Sequence, residues 1–175
     1  MECGSLRIRP ARTSDAETLC AWWNDGAVMA HAGFPNGLGT TVERVRAQIA
    51  AESDDTVRRF LIEIDGTAAG EMSYRHCGDA ADIGIKICLP ALRERGYGRR
   101  LLTMFLTMLF EEKGYRRVVL DTNLKNRRAQ HVYELLGFRR VRVERGGFTD
   151  QLGEKQDVVY YELTPETFHP AEAPK

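Results

Sequence analysis

The chain has 175 residues, 43% of them hydrophobic, which suits one domain with a substantial core. Lysine plus arginine and aspartate plus glutamate both total 25, so the net charge of zero gives no electrostatic argument for nucleic acid or a membrane as the main partner. With no run of roughly 20 apolar residues, no apolar leader and no C-x-x-C pair, we expect a cytoplasmic setting with four reduced cysteines, Cys3, Cys20, Cys77 and Cys88.

The first third of the chain predicts one strand and two helices. Residues 6–10 alternate between apolar and polar side chains, as a short strand does. Two capping boxes predict helices that end near residues 23 and 51, namely Ser14 with Glu17 and Thr40 with Glu43. Residues 24–39 between them contain four glycines and one proline, which indicates a loop or a broken helix.

A hairpin and a further strand follow. Residues 57–64 and 67–75 predict two strands joined by Asp65-Gly66, a pair of residues typical of a type I′ turn. Three isoleucines then alternate with Gly84, Lys86 and Cys88 from Ile83 onwards, which predicts a half-buried strand that Pro90 ends.

Gly96 and Gly98 begin a long amphipathic helix that Gly114 stops. Glycines where a strand turns into a helix let backbone N–H groups approach an anion at the positive end of the helix dipole. Neighbouring arginines add cations, which favours a phosphate or pyrophosphate ligand. The alternative is a turn in which the glycines serve geometry alone and the arginines are a solvated surface. The spacing matches neither G-x-G-x-x-G nor G-x-x-x-x-G-K-[ST].

The last part of the chain predicts a strand near Asp121, a helix beginning at Asn126, and two final strands over 138–144 and 157–163. The whole order predicts an α/β fold with a mixed sheet of seven strands. We expect one domain over residues 1–168 and a flexible tail over 169–175.

Two separately spaced blocks carry a family resemblance. The first is R-x-x-G-x-G, and the second is Asn-x-x-Ala-x-x-x-Tyr-x-x-x-Gly-Phe, which begins at Asn126. Together they resemble the Gcn5-related N-acetyltransferases (GNAT). The resemblance implies a seven-stranded mixed sheet with splayed central strands and about four flanking helices. It also implies acetyl-CoA as cosubstrate, with no metal.

By resemblance, the pyrophosphate lies on backbone N–H groups from Arg95 to Arg100, and a backbone N–H near Ile87 polarises the thioester carbonyl. Lys86 to Cys88 pair with the pantetheine arm, which Asn126 also contacts, although Asn126 is equally suited to cap its helix. The implied cofactor-binding residues are Lys86, Ile87, Cys88, Arg93, Arg95, Gly96, Tyr97, Gly98, Arg99, Arg100, Asn126, Ala129 and Tyr133.

Tyr133 is the candidate general acid for the leaving thiolate, and the alternative is a core aromatic with a local hydrogen bond. An attacking amine is mostly protonated at neutral pH and needs a base. The candidate bases are Asp121, Asp82 and Glu71, each of which could instead be an ordinary solvated carboxylate. His31, in the loop before the second helix, is a further candidate base.

The acceptor wall is expected to come from residues 22–34, with Trp23, Asn24, His31 and Phe34 as substrate-binding residues. The expected acceptor is a primary amine of a small molecule or a protein N-terminus, with no nucleic acid and no membrane as partner. A homodimer is compatible with the sequence. The alternative function is a catalytically inactive CoA-binding sensor or interaction module.

Overall fold

The computed structural model describes residues 1–93 and 95–171, which form one mixed sheet flanked by helices. The helices are α1 (Ala16–Asn24), α2 (Gly26–Met29), α3 (Val42–Ala51), α4 (Tyr97–Thr107) and α5 (Arg127–Leu135). The strands are β1 (Glu2–Cys3), β2 (Leu6–Pro10), β3 (Val57–Ile64), β4 (Thr67–Cys77), β5 (Ala80–Ile87), β6 (Arg117–Asn123), β7 (Arg139–Thr149) and β8 (Lys155–Leu163).

The sheet has eight strands in the order β1-β2-β3-β4-β5-β6-β8-β7, one more than predicted. The additional strand is β1, which pairs antiparallel with β2 at the start of the chain. Gly4 between them adopts a left-handed φ of 59°, which glycine allows at little cost and which lets two short segments fold back on each other.

The sheet opens between β5 and β6, as the resemblance implied. These strands pair in parallel over only three residue pairs, from Ala80 with Arg117 to Asp82 with Val119. Beyond them β5 stays paired with β4, and β6 stays paired with β8 as far as Asn123. The diverging ends leave a cleft that passes through the sheet.

Helices cover both faces of the sheet. Phe60 and Ile62 on β3 belong to the larger core, which also contains the buried side of α4. Leu61, which lies between them, belongs to a second core with α1 and α3. Because side chains alternate along a strand, α1 and α3 lie on the opposite face from α4.

The predicted capping boxes differ from the observed helix starts. Asp15 accepts a hydrogen bond from the Arg12 N–H at 2.7 Å, so the chain enters a 3₁₀ turn before α1 and the predicted Ser14 box does not form. Thr41 caps α3 by accepting from the Arg44 N–H at 3.3 Å. The prediction was one residue early, because Thr40 uses its backbone to bind Asn24.

The predicted hairpin between β3 and β4 is confirmed. Asp65 and Gly66 have φ values of 51° and 74°, the left-handed pair that a type I′ turn requires. The last hairpin is longer than predicted, because Gly146 and Gly147, which looked like loop residues, continue β7 across a register shift.

Two hydrogen bonds hold the end of the described chain against α5 and α4. The His169 N–H donates to the Leu136 carbonyl, and the Ala171 N–H donates to the Thr103 hydroxyl, both at 2.9 Å. These bonds hold the first residues of the predicted tail, whose remaining residues, 172–175, lie outside the described part of the chain.

Gly70→Ala is expected to destabilise the protein. A Cβ at Gly70 would lie 2.1 Å from the Lys86 carbonyl oxygen, so the pairing of β4 with β5 must shift, at a cost of about 1–3 kcal/mol. Urea unfolding measures the loss. Gly84→Ala on β5 is the control, because its Cβ would meet only the Ser73 hydroxyl at 3.5 Å, and an equal loss in both variants would contradict this account.

Candidate active site

The cleft between β5 and β6 has a volume of about 530 Å³. Many of the residues predicted for the site line it: His31, Lys86, Ile87, Arg93, Gly96, Gly98, Arg99, Asp121, Asn126, Ala129 and Tyr133. Three more lie within the predicted acceptor wall of residues 22–34: Ala27, Val28 and Ala32. The others were not predicted: Ile83, Gly84, Ile85, Leu102, Thr122, Asn123, Arg128, Val132 and Phe148. The lining residues come from both faces of the sheet, so the cleft is open on both faces.

The edge of β5 presents backbone groups to the cleft. The Cys88 N–H donates to the Ala69 carbonyl at 2.8 Å, and Cys88 is buried. Hydrogen bonding alternates along an antiparallel pair, so Ile85 and Ile87 turn their N–H groups to the open edge. Of the predicted backbone partners Lys86 to Cys88, Ile87 therefore turns its N–H to the opening, whereas Lys86 and Cys88 do not, and Ile85 is an additional candidate. The Ile87 carbonyl is already used, since it accepts from Arg93 Nε at 3.1 Å.

The turn before α4 can hold an anion. Gly96 precedes the helix with a left-handed φ of 76°, and no atom lies within 4 Å of a Cβ built there. A Cβ on Gly98 would lie 3.9 Å from the Ile87 side chain. Buried Nε of Arg99 has no hydrogen-bond partner among the residues that the structure describes. A buried guanidinium N–H without a partner beside a helix N-terminus fits a phosphate group.

Three residues predicted for this anion site do not line the cleft. The side chain of Arg95 is exposed to solvent, and Tyr97 packs against the larger core. Arg100 extends towards Gly4 at the N-terminus, where its Nη2 would lie 3.8 Å from a Cβ. Successive residues of a helix point in different directions, so of the two arginines on α4 only Arg99 lines the cleft.

Asn126 caps α5 and also lines the cleft. Its side-chain oxygen accepts from the Ala129 N–H at 3.3 Å, as predicted for an N-cap, and its Nδ2 donates to the Thr122 hydroxyl at 3.3 Å. These bonds fix the start of α5 against the end of β6 and so fix the position of the residues that follow on the helix.

Tyr133 lies on the buried side of α5, with its ring against Phe138 and Tyr161 at centroid distances of 5.7 Å. It lines the cleft, and its hydroxyl forms no hydrogen bond within the described part of the chain. Burial, followed by the negative charge of Asp121, raises the pKa of Tyr133. The phenol therefore keeps its proton at neutral pH and can donate it.

Asp82 and Asp121 form a pair of carboxylates at the point where the strands diverge. Asp82 lies opposite Val119, and Asp121 is two residues further along β6 on the same face. Asp121 lines the cleft, whereas Asp82 does not. Neither has a hydrogen bond or a salt bridge to the residues described, but the charge of Arg75, which is paired with Asp82 across β4 and β5, lowers the pKa of Asp82 in part. Burial raises the pKa of Asp121, and burial and then Asp121 raise the pKa of Asp82. Two unpaired carboxylates with raised pKa values suit proton acceptance and cation binding.

Glu71 differs from both aspartates, because it is 3% exposed and all its interactions are internal. It accepts from Trp23 Nε1 at 2.9 Å, and it forms salt bridges with Arg59 at 2.9 Å and Lys86 at 3.0 Å. Burial raises the pKa of Glu71, but the charges of Lys86 and Arg59 outweigh burial and hold it below its ordinary 4.5. Such a carboxylate is a poor proton acceptor, so the base prediction for Glu71 does not fit this geometry.

The predicted acceptor wall is only partly in the cleft. His31 lines it, whereas Trp23, Asn24 and Phe34 do not. Trp23 is buried beneath the guanidinium of Arg59, whose Cζ lies 4.4 Å from the ring centroid. Asn24 Nδ2 donates to the Thr40 carbonyl, and Asn24 Oδ1 accepts from the Thr40 N–H, both at 2.9 Å. Phe34 packs against the second core. These residues hold the loop in shape instead of lining the cleft.

The hairpin between β7 and β8 completes the wall. The Gln151 N–H donates to the Gly33 carbonyl at 3.0 Å, and its side chain donates to the Gly37 carbonyl at 2.7 Å. Phe148 lies so close to Gly33 that a Cβ there would be 2.7 Å from the ring. More than 110 residues separate these segments, and no sequence pattern pointed to Phe148.

No group of three or more His, Cys, Asp and Glu side chains in residues 1–93 and 95–171 could hold a metal ion. Within the same ranges, no helix is both long and apolar enough to cross a membrane.

Comparisons with known proteins agree with this geometry. The family model for the acetyltransferase (GNAT) domain matches residues 5–139. A spermidine N-acetyltransferase from Vibrio cholerae, solved with CoA and spermine, is similar with a TM-score of 0.83 at 19% identity, over 94% of this chain and 98% of that chain. A GNAT-family acetyltransferase from Streptococcus pneumoniae has a TM-score of 0.76 at 22% identity, over 91% and 99%. Curated protein sequences gave no match.

Glu71→Gln is expected to destabilise the protein by about 3 kcal/mol above pH 5, because Lys86 and Arg59 lose a buried counter-charge. The folded-state pKa of Glu71 is lowered, so its contribution is present above 4.5 and is lost as the pH falls further. Urea unfolding from pH 7 to pH 3 should show the difference from wild type shrinking in acid. Glu2→Gln, at an exposed pair with Arg7, should change little, and a constant difference at all pH values would contradict the assignment.

Proposed function

Since the chain belongs to the GNAT family of acetyltransferases, we propose that it transfers the acetyl group of acetyl-CoA to a primary amine by direct attack in a ternary complex. The acceptor is a small molecule or a protein N-terminus. The observation that carries the proposal is the cleft between β5 and β6, which is lined by the anion site at α4, the neutral phenol of Tyr133 and the carboxylate of Asp121. The reaction needs these groups together.

Residues on the α4 side bind the cosubstrate. Backbone N–H groups at the start of α4 and the unpartnered Arg99 Nε bind the pyrophosphate. The free N–H groups of Ile85 and Ile87 pair with the pantetheine arm, in the way that one strand pairs with the next. Bound acetyl-CoA supplies the activated thioester that is the acetyl donor. An N–H of the same strand edge donates to the thioester oxygen as negative charge develops there.

The two proton transfers are carried out by different side chains. Asp121 or Asp82 accepts the proton of the incoming ammonium, directly or through water, and their raised pKa values bring them closer to neutrality, where a base works best. Tyr133 gives its proton to the departing thiolate. The raised pKa of Tyr133 keeps this proton in place until the sulfur needs it.

The carboxylates also favour a particular class of acceptor. An amine approaching from the α2 side is cationic in solution. Asp121, which lines the cleft, and Asp82 attract it, since neither is held in a salt bridge within the described residues. The similar Vibrio cholerae protein is a spermidine N-acetyltransferase that was solved with spermine. Polyamines are therefore among the acceptors that we propose to test, together with aminoglycosides and peptides with free N-termini.

Release of CoA measures the proposed activity directly. Purified protein with acetyl-CoA is screened against polyamines, aminoglycosides, simple alkylamines and N-terminal peptides, and mass spectrometry identifies the acetylated product. An acceptor-dependent release with a matching product supports the function. Binding of CoA without transfer to any amine would favour the alternative of a CoA-binding sensor.

Tyr133→Phe is expected to lower kcat by roughly 10²–10⁴-fold with little change in CoA affinity, because the ring stays and only the proton is lost. The hydroxyl has no internal partner in the described residues, so the melting temperature should stay close to wild type. Steady-state kinetics and thermal melts on the same preparation measure both quantities. A normal kcat would rule out Tyr133 as the general acid.

CoA is expected to raise the melting temperature, because it binds the native state and not the unfolded chain. Arg99→Ala should weaken CoA binding about 10–100-fold, the value of one or two hydrogen bonds to a charged group. Calorimetry compares it with Arg95→Ala, whose side chain is exposed outside the cleft. Equal losses in both variants would mean that general positive charge, and not the buried Nε, holds the ligand.

A further inference from the structure

Gly84 is a glycine that neither the backbone nor the packing requires. It lies in the interior of β5, and its φ is not left-handed. A Cβ built on it would meet only the Ser73 hydroxyl, at the ordinary contact distance of 3.5 Å. Gly70, directly across from Ile87 on the next strand, is different, because a Cβ there would collide with a carbonyl oxygen. A glycine inside a strand weakens it and often marks a place where a ligand approaches closely.

The missing side chain would point to the acceptor side of the sheet. Ile83, Ile85 and Ile87 pack towards the larger core, so the alternate residues of β5 point to the opposite face. Gly84 lines the cleft. Its neighbours on the same face of β5 are Asp82 and Lys86, two residues away on either side. The Lys86 ammonium is drawn back to the buried Glu71 at 3.0 Å, which keeps the space above Gly84 clear.

The neighbouring strand extends this space. Gly84 is paired in register with Ser73 on β4, so two small residues lie side by side. The Ser73 hydroxyl forms no side-chain hydrogen bond among the described residues. We name the space beside Gly84 and Ser73 the recess; of these two residues, Gly84 lines the cleft and Ser73 does not. The recess lies between the salt bridge of Lys86 with Glu71 and the carboxylate of Asp82.

We propose that this recess receives the carbon substituent next to the reacting amine of the acceptor, which makes Gly84 a specificity-determining residue. The inference rests on the proposed amine acetylation. Residues two apart on a strand are separated by about 6–7 Å, so an amine held by Asp82 has its next few carbon atoms over Gly84. A side chain at Gly84 would occupy that space and select against bulky amines.

The test uses Gly84→Ala and Gly84→Val with ethylamine and cyclohexylamine, and with the best acceptor from the screen. We expect kcat/KM for cyclohexylamine to fall at least tenfold more than for ethylamine in Gly84→Val, with a smaller difference in Gly84→Ala, since pocket size discriminates by such factors. The shift in melting temperature with CoA should be unchanged. Without ligand, both variants should melt at or above the wild-type temperature, because glycine is unfavourable inside a strand.

Cys77→Val, at an exposed position on β4, controls for the addition of a β-branched residue and should leave kcat/KM for both amines unchanged. Equal losses for both amines, or a clear drop in melting temperature for Gly84→Ala, would overturn the proposal by showing a structural role for the glycine. If the wild-type protein acetylates none of the amines, the proposed function is wrong, whatever the variants show. In that case, calorimetry measures the affinity of the CoA-bound protein for the same amines and so tests the recess. The proposal is overturned if no amine binds, or if wild type and Gly84→Val bind each amine equally well.

Discussion

The divergence of β5 and β6 after three residue pairs is the constraint on which the site depends. Both strands remain fixed by their other neighbours, since β5 pairs with β4 along its length and β6 pairs with β8 over six residue pairs. Backbone N–H groups at Ile85 and Ile87 therefore face an opening inside the sheet. Backbone groups in such a place need hydrogen-bonding partners, so the opening favours an extended ligand that can supply them in the way a strand does.

The opening also separates a positively charged region from a negatively charged one. On the side of α4 the cleft is positive, from the helix N-terminus and the guanidinium of Arg99. On the other side lie Asp82 and Asp121, neither of which forms a salt bridge within the described residues. The chain as a whole has a net charge of zero, so its electrostatic character is local and not global. An anionic cosubstrate and a cationic acceptor would each meet the side that attracts it.

Buried interactions hold the acceptor side in place. Glu71 joins Trp23 on α1 to Lys86 on β5, so the helix layer is tied to the edge of the cleft. Gln151 ties the hairpin of β7 and β8 to the loop after α2. His31 lies in a 3₁₀ helix, Ala30–Ala32, directly after α2, and the bonds from Gln151 hold the loop that follows it. A rigid wall of this kind is suited to selecting an acceptor by shape.

The sequence by itself determined the mixed α/β fold, the hairpin at Asp65, the helix after Gly96 and the cap at Asn126. These features follow from local patterns, because alternation, turn residues and helix caps act over a few positions. The same local logic missed β1, which is only two residues long, and placed two capping boxes slightly wrong. Helix ends depend on competing hydrogen bonds, such as that of Asp15 with Arg12, which spacing alone does not reveal.

Only the tertiary structure decided which of the polar residues face the cleft. Glu71 and Asp82 looked alike as strand acids, yet one is buried between two cations and the other forms no salt bridge among the described residues, although Arg75 is paired with it on β4. Phe148 and Gly84 carried no chemical motif, and they enter the site because distant strands and loops meet there. Burial, side-chain direction and ion pairing are properties of the packed molecule, set by contacts between residues far apart in the chain, and a local pattern contains no information about those contacts.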